Sequence, residues 1–334
     1  MAQASVAQAC SAPPSPSAAA LRFSGMSPQR GGGGFDIRAL GQQRAALAKV
    51  SASTRRAWWA LGEISEELRA DREVVLEAVT RDGRALKYAS DELRADREVV
   101  LAAVRQHGEA LQYAAPSLCS DREVVLAAVC QEGCALRHSS EELLADREIV
   151  LAAVKQNGLA LHFEPEELRD DREIVLEAVR QDGRALQFSS KGLRADREVV
   201  REAVERHGSA LDCASSNLWE DEEIVLAAVR QDVRALRCAS EDCFAKRSIM
   251  LEAVRQDGRV LRVCTEELRA DREVVLEAVR QNGLALQYVE NHFLADREVV
   301  LAAVTQNPAS IRYSSRGLAE WEPPEVVRSR SAEL

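Results

Sequence analysis

The sequence predicts an all-α fold: an α-solenoid superhelix of about ten 25-residue units, each one longer helix plus a short helical return. Three observations predict it. First, the chain repeats itself: DREVVLAAVRQHGEALQYAA at 96–115 returns as DREVVLAAVCQEGCALRHSS at 121–140 and as DREIVLAAVKQNGLALHFEP at 146–165. A fixed period of this size marks stacked units, none of which can bury its apolar faces alone. Second, each unit reads as a helix between a cap and a stop. Third, the apolar run has neither the alternation nor the length of a strand.

In chain order, residues 1–44 form a low-complexity tail, with ACSAPPSPSAAA and the glycines Gly31 to Gly34. Such a composition cannot bury enough apolar surface to order itself. No acidic residue precedes Asp36, while Arg22 and Arg30 do, which also gives the tail the composition of an organelle transit segment. Residues 45–70 form a degenerate capping repeat, because RAWWALGEISEEL at 56–68 aligns with RDGRALKYASDEL at 81–93. End units of a stack face water on one side and degenerate in this way.

Residues 71–318 hold the ten tandem repeats. Each opens on an aspartate, at Asp71, Asp96, Asp121, Asp146, Asp171, Asp196, Asp221, Asp271 and Asp296, with Lys246 in the remaining place. Aspartate suits an N-cap, since its carboxylate accepts from free N–H groups at the positive end of the helix dipole. Val74, Val75, Leu76, Ala78 and Val79 then wrap most of the helix, as in a helix sandwiched between neighbours. Gly83 is expected to end it through a left-handed conformation. A second helical segment carries Ala85, Leu86 and Tyr88. Ser90 caps one more turn, whose Leu93 points inward. Residues 319–334 are a C-terminal cap and tail.

The chain carries 44 Lys and Arg against 54 Asp and Glu, a net charge of -10. This argues against a nucleic-acid partner, because that affinity rests on surplus cations neutralising phosphates. Aromatics at 4% leave few platforms for stacking bases. No run of 18 apolar residues points to a membrane. The eight cysteines keep no framework spacing and read as free thiols in a reducing, cytoplasmic setting.

Catalysis is not expected. A catalytic group is unique, whereas caps and core residues recur in every unit. His107 and His207 share one column four repeats apart, His138 replaces the tyrosine of the Tyr88 column, and His162 and His292 stand alone. Cys130, Cys134 and His138 have spacing suited to zinc along an unbroken helix, but Gly133 interrupts it and a fourth ligand is missing. No metal and no cofactor is therefore expected. Cys213 and Cys238 occupy the Tyr88 column as small hydrophobes, and Cys243 replaces a core leucine. Residues 201–250 are the least regular stretch, with Arg201 in a core column, Glu222 in the arginine column, Val233 for glycine, and Lys246, Ser248 and Met250 breaking the next cap.

The columns at 80, 84 and 87 hold 15 Lys or Arg in 30 places against three acidic residues, Glu109, Glu205 and Asp212. In an acidic protein this is segregation. It is densest at Arg230, Arg234, Arg237, Arg255, Arg259, Arg262 and Arg280, the candidate partner-binding residues. A solvated face would also carry such charge. As a binding edge it suits an acidic or phosphorylated protein or peptide, which arginine grips with charge-assisted hydrogen bonds. The Arg72 column is expected to form a ladder of ion pairs between neighbouring units.

These units, with the Asp, the Val-Leu-x-Ala-Val run and the Ala-Leu pair, resemble the tandem-repeat family called domain of unknown function 4116 over residues 56–318. The resemblance implies a helical-repeat protein, often one module in a larger set, and implies no activity. Gln306-Asn307-Pro308 has a looser resemblance to leucine-rich variant repeats. The expectation is a non-enzymatic scaffold binding a protein or peptide along an extended face. An accessory module of a larger enzyme system, or a nucleic-acid binder using the basic stripe, are the alternatives.

Overall fold

The computed structural model describes residues 37–52 and 57–315, and no strand occurs among them. The tail expected at 1–44 lies outside the described residues except for 37–44, which begin the helix Ile37–Ala52. The C-terminal segment 319–334 lies outside them altogether. The chain is an all-α solenoid divided into two compact bodies, one through Gln181 and one from Asp182. Each body carries five copies of the long helix. In the first these are Arg72–Arg81, Arg97–Gln106, Arg122–Gln131, Arg147–Gln156 and Arg172–Gln181. In the second they are Arg197–Arg206, Glu222–Gln231, Arg247–Gln256, Arg272–Gln281 and Arg297–Gln306.

The first repeat shows how the sequence makes the unit. Asp71 Oδ1 accepts from the N–H groups of Glu73 and Val74 at 3.0 and 3.2 Å, and the helix starts there. Ten residues later the backbone extends at Asp82, φ -150 and ψ 108. The Asp82 carboxylate then accepts from the Arg84 N–H at 3.1 Å and opens a 3-10 helix, Gly83–Tyr88. Ser90 Oγ accepts from the Leu93 N–H at 3.4 Å and caps the last turn, Asp91–Arg94. Val74, Val75, Ala78, Val79, Ala85 and Leu86 have no exposed surface. Every repeat places valine at the Val79 column, and burying each such side chain stabilises by roughly 1.5–3 kcal/mol.

The glycine of each repeat has a different role from the one expected. It does not end the long helix in a left-handed conformation. It starts the 3-10 return, where that return meets the next long helix. A Cβ on Gly83 would lie 2.2 Å from the carbonyl oxygen of Ala103, and one on Gly208 would lie 2.4 Å from that of Ala228. Only a hydrogen fits there. Pro308 holds the same place in the last repeat, at the end of the described array. A glutamine column, not singled out by sequence, closes the same joint. Gln156 accepts from the Gly133 N–H at 2.6 Å and donates to the Gln131 carbonyl at 3.1 Å, and Gln281 treats Gly258 and Gln256 alike at 2.7 and 2.8 Å. These bonds satisfy backbone groups that helix ends leave unpaired.

At the other end of the long helices the expected ladder is present. Arg72 Nε donates to Asp96 at 2.8 Å, Arg97 to Asp121 at 2.9 Å, Arg197 to Asp221 at 2.7 Å and Arg247 to Asp271 at 2.8 Å. Each guanidinium also reaches the glutamate two residues further on, as Arg197 does with Glu223. The carboxylate that caps one helix thus receives the arginine of the preceding repeat. The hydrogen bond from Arg197 holds Asp221 below the usual aspartate range, and Arg72 does the same for Asp96.

The irregular stretch 201–250 is compensated. Arg201 turns out of the core column to Glu205 at 3.4 Å. Glu222, Lys246 and Ser248 form one rung with the charges reversed. Lys246 Nζ lies 3.0 Å from Glu222, and Ser248 Oγ donates to it at 2.5 Å. The Arg247–Gln256 helix consequently lacks a side-chain cap, yet Ile249 and Met250 beneath it have no exposed surface.

Candidate functional site

The seven arginines singled out by sequence all lie in the second body, at the C-terminal ends of the long helices and on the 3-10 returns. Their surroundings differ. Arg234 is tied to its own cap residue Asp232 at 2.8 Å, although its side chain is 81% exposed. Arg259 pairs more loosely with Asp257, at 3.7 Å and 76% exposed. Arg255 reaches Glu277 at 3.3 Å, and Arg280 reaches the same residue at 3.1 Å. These carboxylates relieve the repulsion expected between like charges in rows. The hydrogen bond from Arg234 in turn holds Asp232 below the usual aspartate range. Arg230, Arg237 and Arg262 are exposed, and no carboxylate among the described residues pairs with them.

A cleft of about 200 Å³ opens between two successive 3-10 returns, Gly208–Cys213 and Val233–Arg237. Gly208, Ser209 and Asp212 form one wall, and Ala235, Arg237 and Cys238 the other, with Asp232 and Arg234 at the rim. Sequence reasoning found the two arginines but missed the cleft. Its signal was present in the column that begins with Tyr88, where Cys238 stands in place of a ring. Cys238 Sγ donates to Asp212 Oδ1 at 3.4 Å, and burial, then this bond, pushes its thiol up. A raised thiol is a poor nucleophile. Val233 replaces the glycine of this return, which is one residue shorter than its neighbours and leaves Cys238 helical at φ -96 and ψ -15.

The residues of the candidate zinc spacing go elsewhere. Cys134 Sγ accepts from the Asn157 side chain at 3.1 Å, and His138 lies 3.1 Å from Glu109. Cys119, Cys134, Cys213, Cys238, Cys243 and Cys264 are free thiols. Among the described residues no group of three or more His, Cys, Asp or Glu is placed to hold a metal. No helix among them is long and apolar enough to cross a membrane.

The repeat architecture, with its buried valine column and inter-repeat ladder, defines a tandem helical-repeat protein. The chain belongs to the family described as Domain of unknown function (DUF4116), which it matches over residues 55–94, 96–144, 146–194, 196–243, 246–294 and 271–318. Most of these matches cover two successive 25-residue repeats. No curated protein and no solved structure matches the chain.

Proposed function

We propose that the protein is a non-enzymatic scaffold that binds an acidic protein or peptide along the edge formed by its 3-10 returns. One observation carries this reading. The ladder arginines sit on carboxylates, whereas Arg237 and Arg262 stand one repeat apart, exposed and without a carboxylate among the described residues. Arg230 adds a third such cation, and Arg234, Arg255, Arg259 and Arg280 lie nearby on their own carboxylates. A partner carboxylate or phosphate would supply the missing charge-assisted bonds. This reading includes no catalysis, and the recurrence of the cap and ladder columns supports it, since a catalytic group would be unique.

The test is a titration of a fluorescein-labelled octaglutamate with the full chain, followed by anisotropy at rising salt. Binding is expected at low ionic strength and should weaken as salt screens the exposed charges. A single-stranded RNA of eight nucleotides is the competitor. Absence of peptide binding, or stronger binding of the RNA, would contradict the proposal.

A further inference from the structure

In the first and last repeats the sixth residue of the 3-10 return lies against the unit before it. A Cβ on Gly62 would meet the Tyr88 ring at 3.0 Å, and Tyr313 Oη donates to Gln287 at 3.5 Å. Beside these rings, the preceding residue of the same return is often a cation. Lys87 Nζ lies 5.7 Å from the centre of the Tyr88 ring. Arg312 lies 4.7 Å from the centre of the Tyr313 ring and donates to its hydroxyl at 2.8 Å. Arg137 donates to the His138 ring at 3.1 Å. The two remaining cations of this column are Arg237 and Arg262. They are followed by Cys238 and Val263, so they have no ring beside them. Like Lys87 and Arg312, they pair with no carboxylate among the described residues. The space a ring would fill at Cys238 is the cleft of about 200 Å³, and Val263 one repeat on is 46% exposed.

We infer that the cleft receives one aromatic side chain, a tyrosine by preference, from the acidic partner, with Arg237 over its ring. The inference rests on the scaffold reading above and names what that partner must carry. Arg312 on Tyr313 is the internal template for the bound state. A cation over a ring face is attracted by the ring's quadrupole, most strongly where water is excluded. Size permits it, since an enclosed cavity of about 150 Å³ already holds benzene. An aliphatic side chain would fill the gap without giving Arg237 a partner. Carboxylates flanking the tyrosine would meet Arg262 and Arg234.

The experiment uses the full chain and two labelled heptapeptides, EEDYEED and EEDAEED, in anisotropy titrations. The parent protein should bind the tyrosine peptide about tenfold more tightly than the alanine peptide. The Cys238→Tyr variant fills the cleft from within and gives Arg237 its ring. It should bind both peptides equally, at the level of the alanine peptide on the parent. Equal binding of the two peptides by the parent would overturn the inference and leave the acidic-partner reading standing. Retention of the tyrosine preference by Cys238→Tyr would overturn it too. Failure of both peptides to bind would overturn the acidic-partner reading, and this inference with it. A second measurement does not depend on the variant folding. Alkylation of Cys238 in the parent, followed by peptide mapping, should slow at least threefold with the tyrosine peptide and not with the alanine peptide. An unchanged rate would overturn the inference.

Discussion

Arg197 and Arg237 belong to the same body and are both exposed, yet they do different things. Arg197 sits at the N-terminal end of a long helix and donates to Asp221 at 2.7 Å and to Glu223. Arg237 sits on a 3-10 return and pairs with no carboxylate among the described residues. Ten helical residues, about 15 Å, separate two such edges. The reversed rung sharpens the contrast. Glu222, Lys246 and Ser248 invert the charges of the ladder and still keep its 24- and 26-residue connections. The capping edge therefore selects for paired charge of either sign, which is what a structural joint requires. The return edge is richer in cations than in carboxylates, and Arg230, Arg237 and Arg262 on it pair with no carboxylate among the described residues, which is the feature the proposed binding role rests on.

Substitutions can break or sharpen this comparison, and the largest effect should come from the core both edges share. Val229 has no exposed surface. Val229→Asp would bury a carboxylate without a partner and should cost more than about 4 kcal/mol in chemical denaturation. A mild effect would mean the two edges are not held by a common core. Gly208→Ala should come next, because the new Cβ would lie 2.4 Å from the Ala228 carbonyl oxygen. Overpacking of this kind costs roughly 1–3 kcal/mol.

Glu164 belongs to neither edge and provides a third kind of charge. It is 4% exposed, neither carboxylate oxygen has a hydrogen-bond partner, and burial pushes its pKa up to about 8. Its folded value lies above its ordinary value of 4.5, so the folded state holds the proton more tightly. Its favourable term is complete below about pH 4.5 and is lost as pH rises through about 8. The ladder aspartates behave oppositely: the arginines lower their pKa, so their contribution is lost as the solution is acidified. Glu164→Gln should raise stability by about 1–2 kcal/mol at pH 8 and flatten the decline between pH 5 and 8. Melts of the parent and variant across that range are the check. A parallel pair of curves would remove Glu164 from the account.

The smallest effect should come from the reversed rung. Lys246→Asp places a second carboxylate beside Glu222 and should lower the melting temperature by a few degrees. Adding Glu222→Arg should restore most of it, because the pair then matches the other rungs. A double-mutant cycle with no coupling would show that the ladder is incidental.

Much of this was legible in the sequence. The 25-residue period, the Asp71 cap, the valine column and the arginine ladder follow from patterns of charge and apolarity that recur. The glycine was legible as a special position but not for its reason. Its role depends on Ala103 of the next repeat, a contact between units that local turn chemistry does not reveal. The glutamine column was passed over because glutamine on a helix reads as an ordinary wet residue. The reversed rung read as three separate departures, since pairing over 24 and 26 residues becomes visible only once the repeats are stacked. The cleft was hidden for a similar reason. Cys238 replacing a ring marks a space only when the return beneath it, with Gly208 and Asp212, is also in place.

The division of labour between the two edges is the central claim, and charge reversal tests it most directly. Arg237→Glu with Arg262→Glu is to be compared with Arg197→Glu with Arg247→Glu, each in the full chain. Affinity for the labelled octaglutamate and melting temperature are measured for both. The return-edge pair should lose at least tenfold in affinity and melt within about 2 °C of the parent. The ladder pair should melt several degrees lower and bind the peptide nearly as well as the parent. If the return-edge pair binds like the parent, or if both pairs lose binding and stability together, the separation of joint from binding surface is wrong.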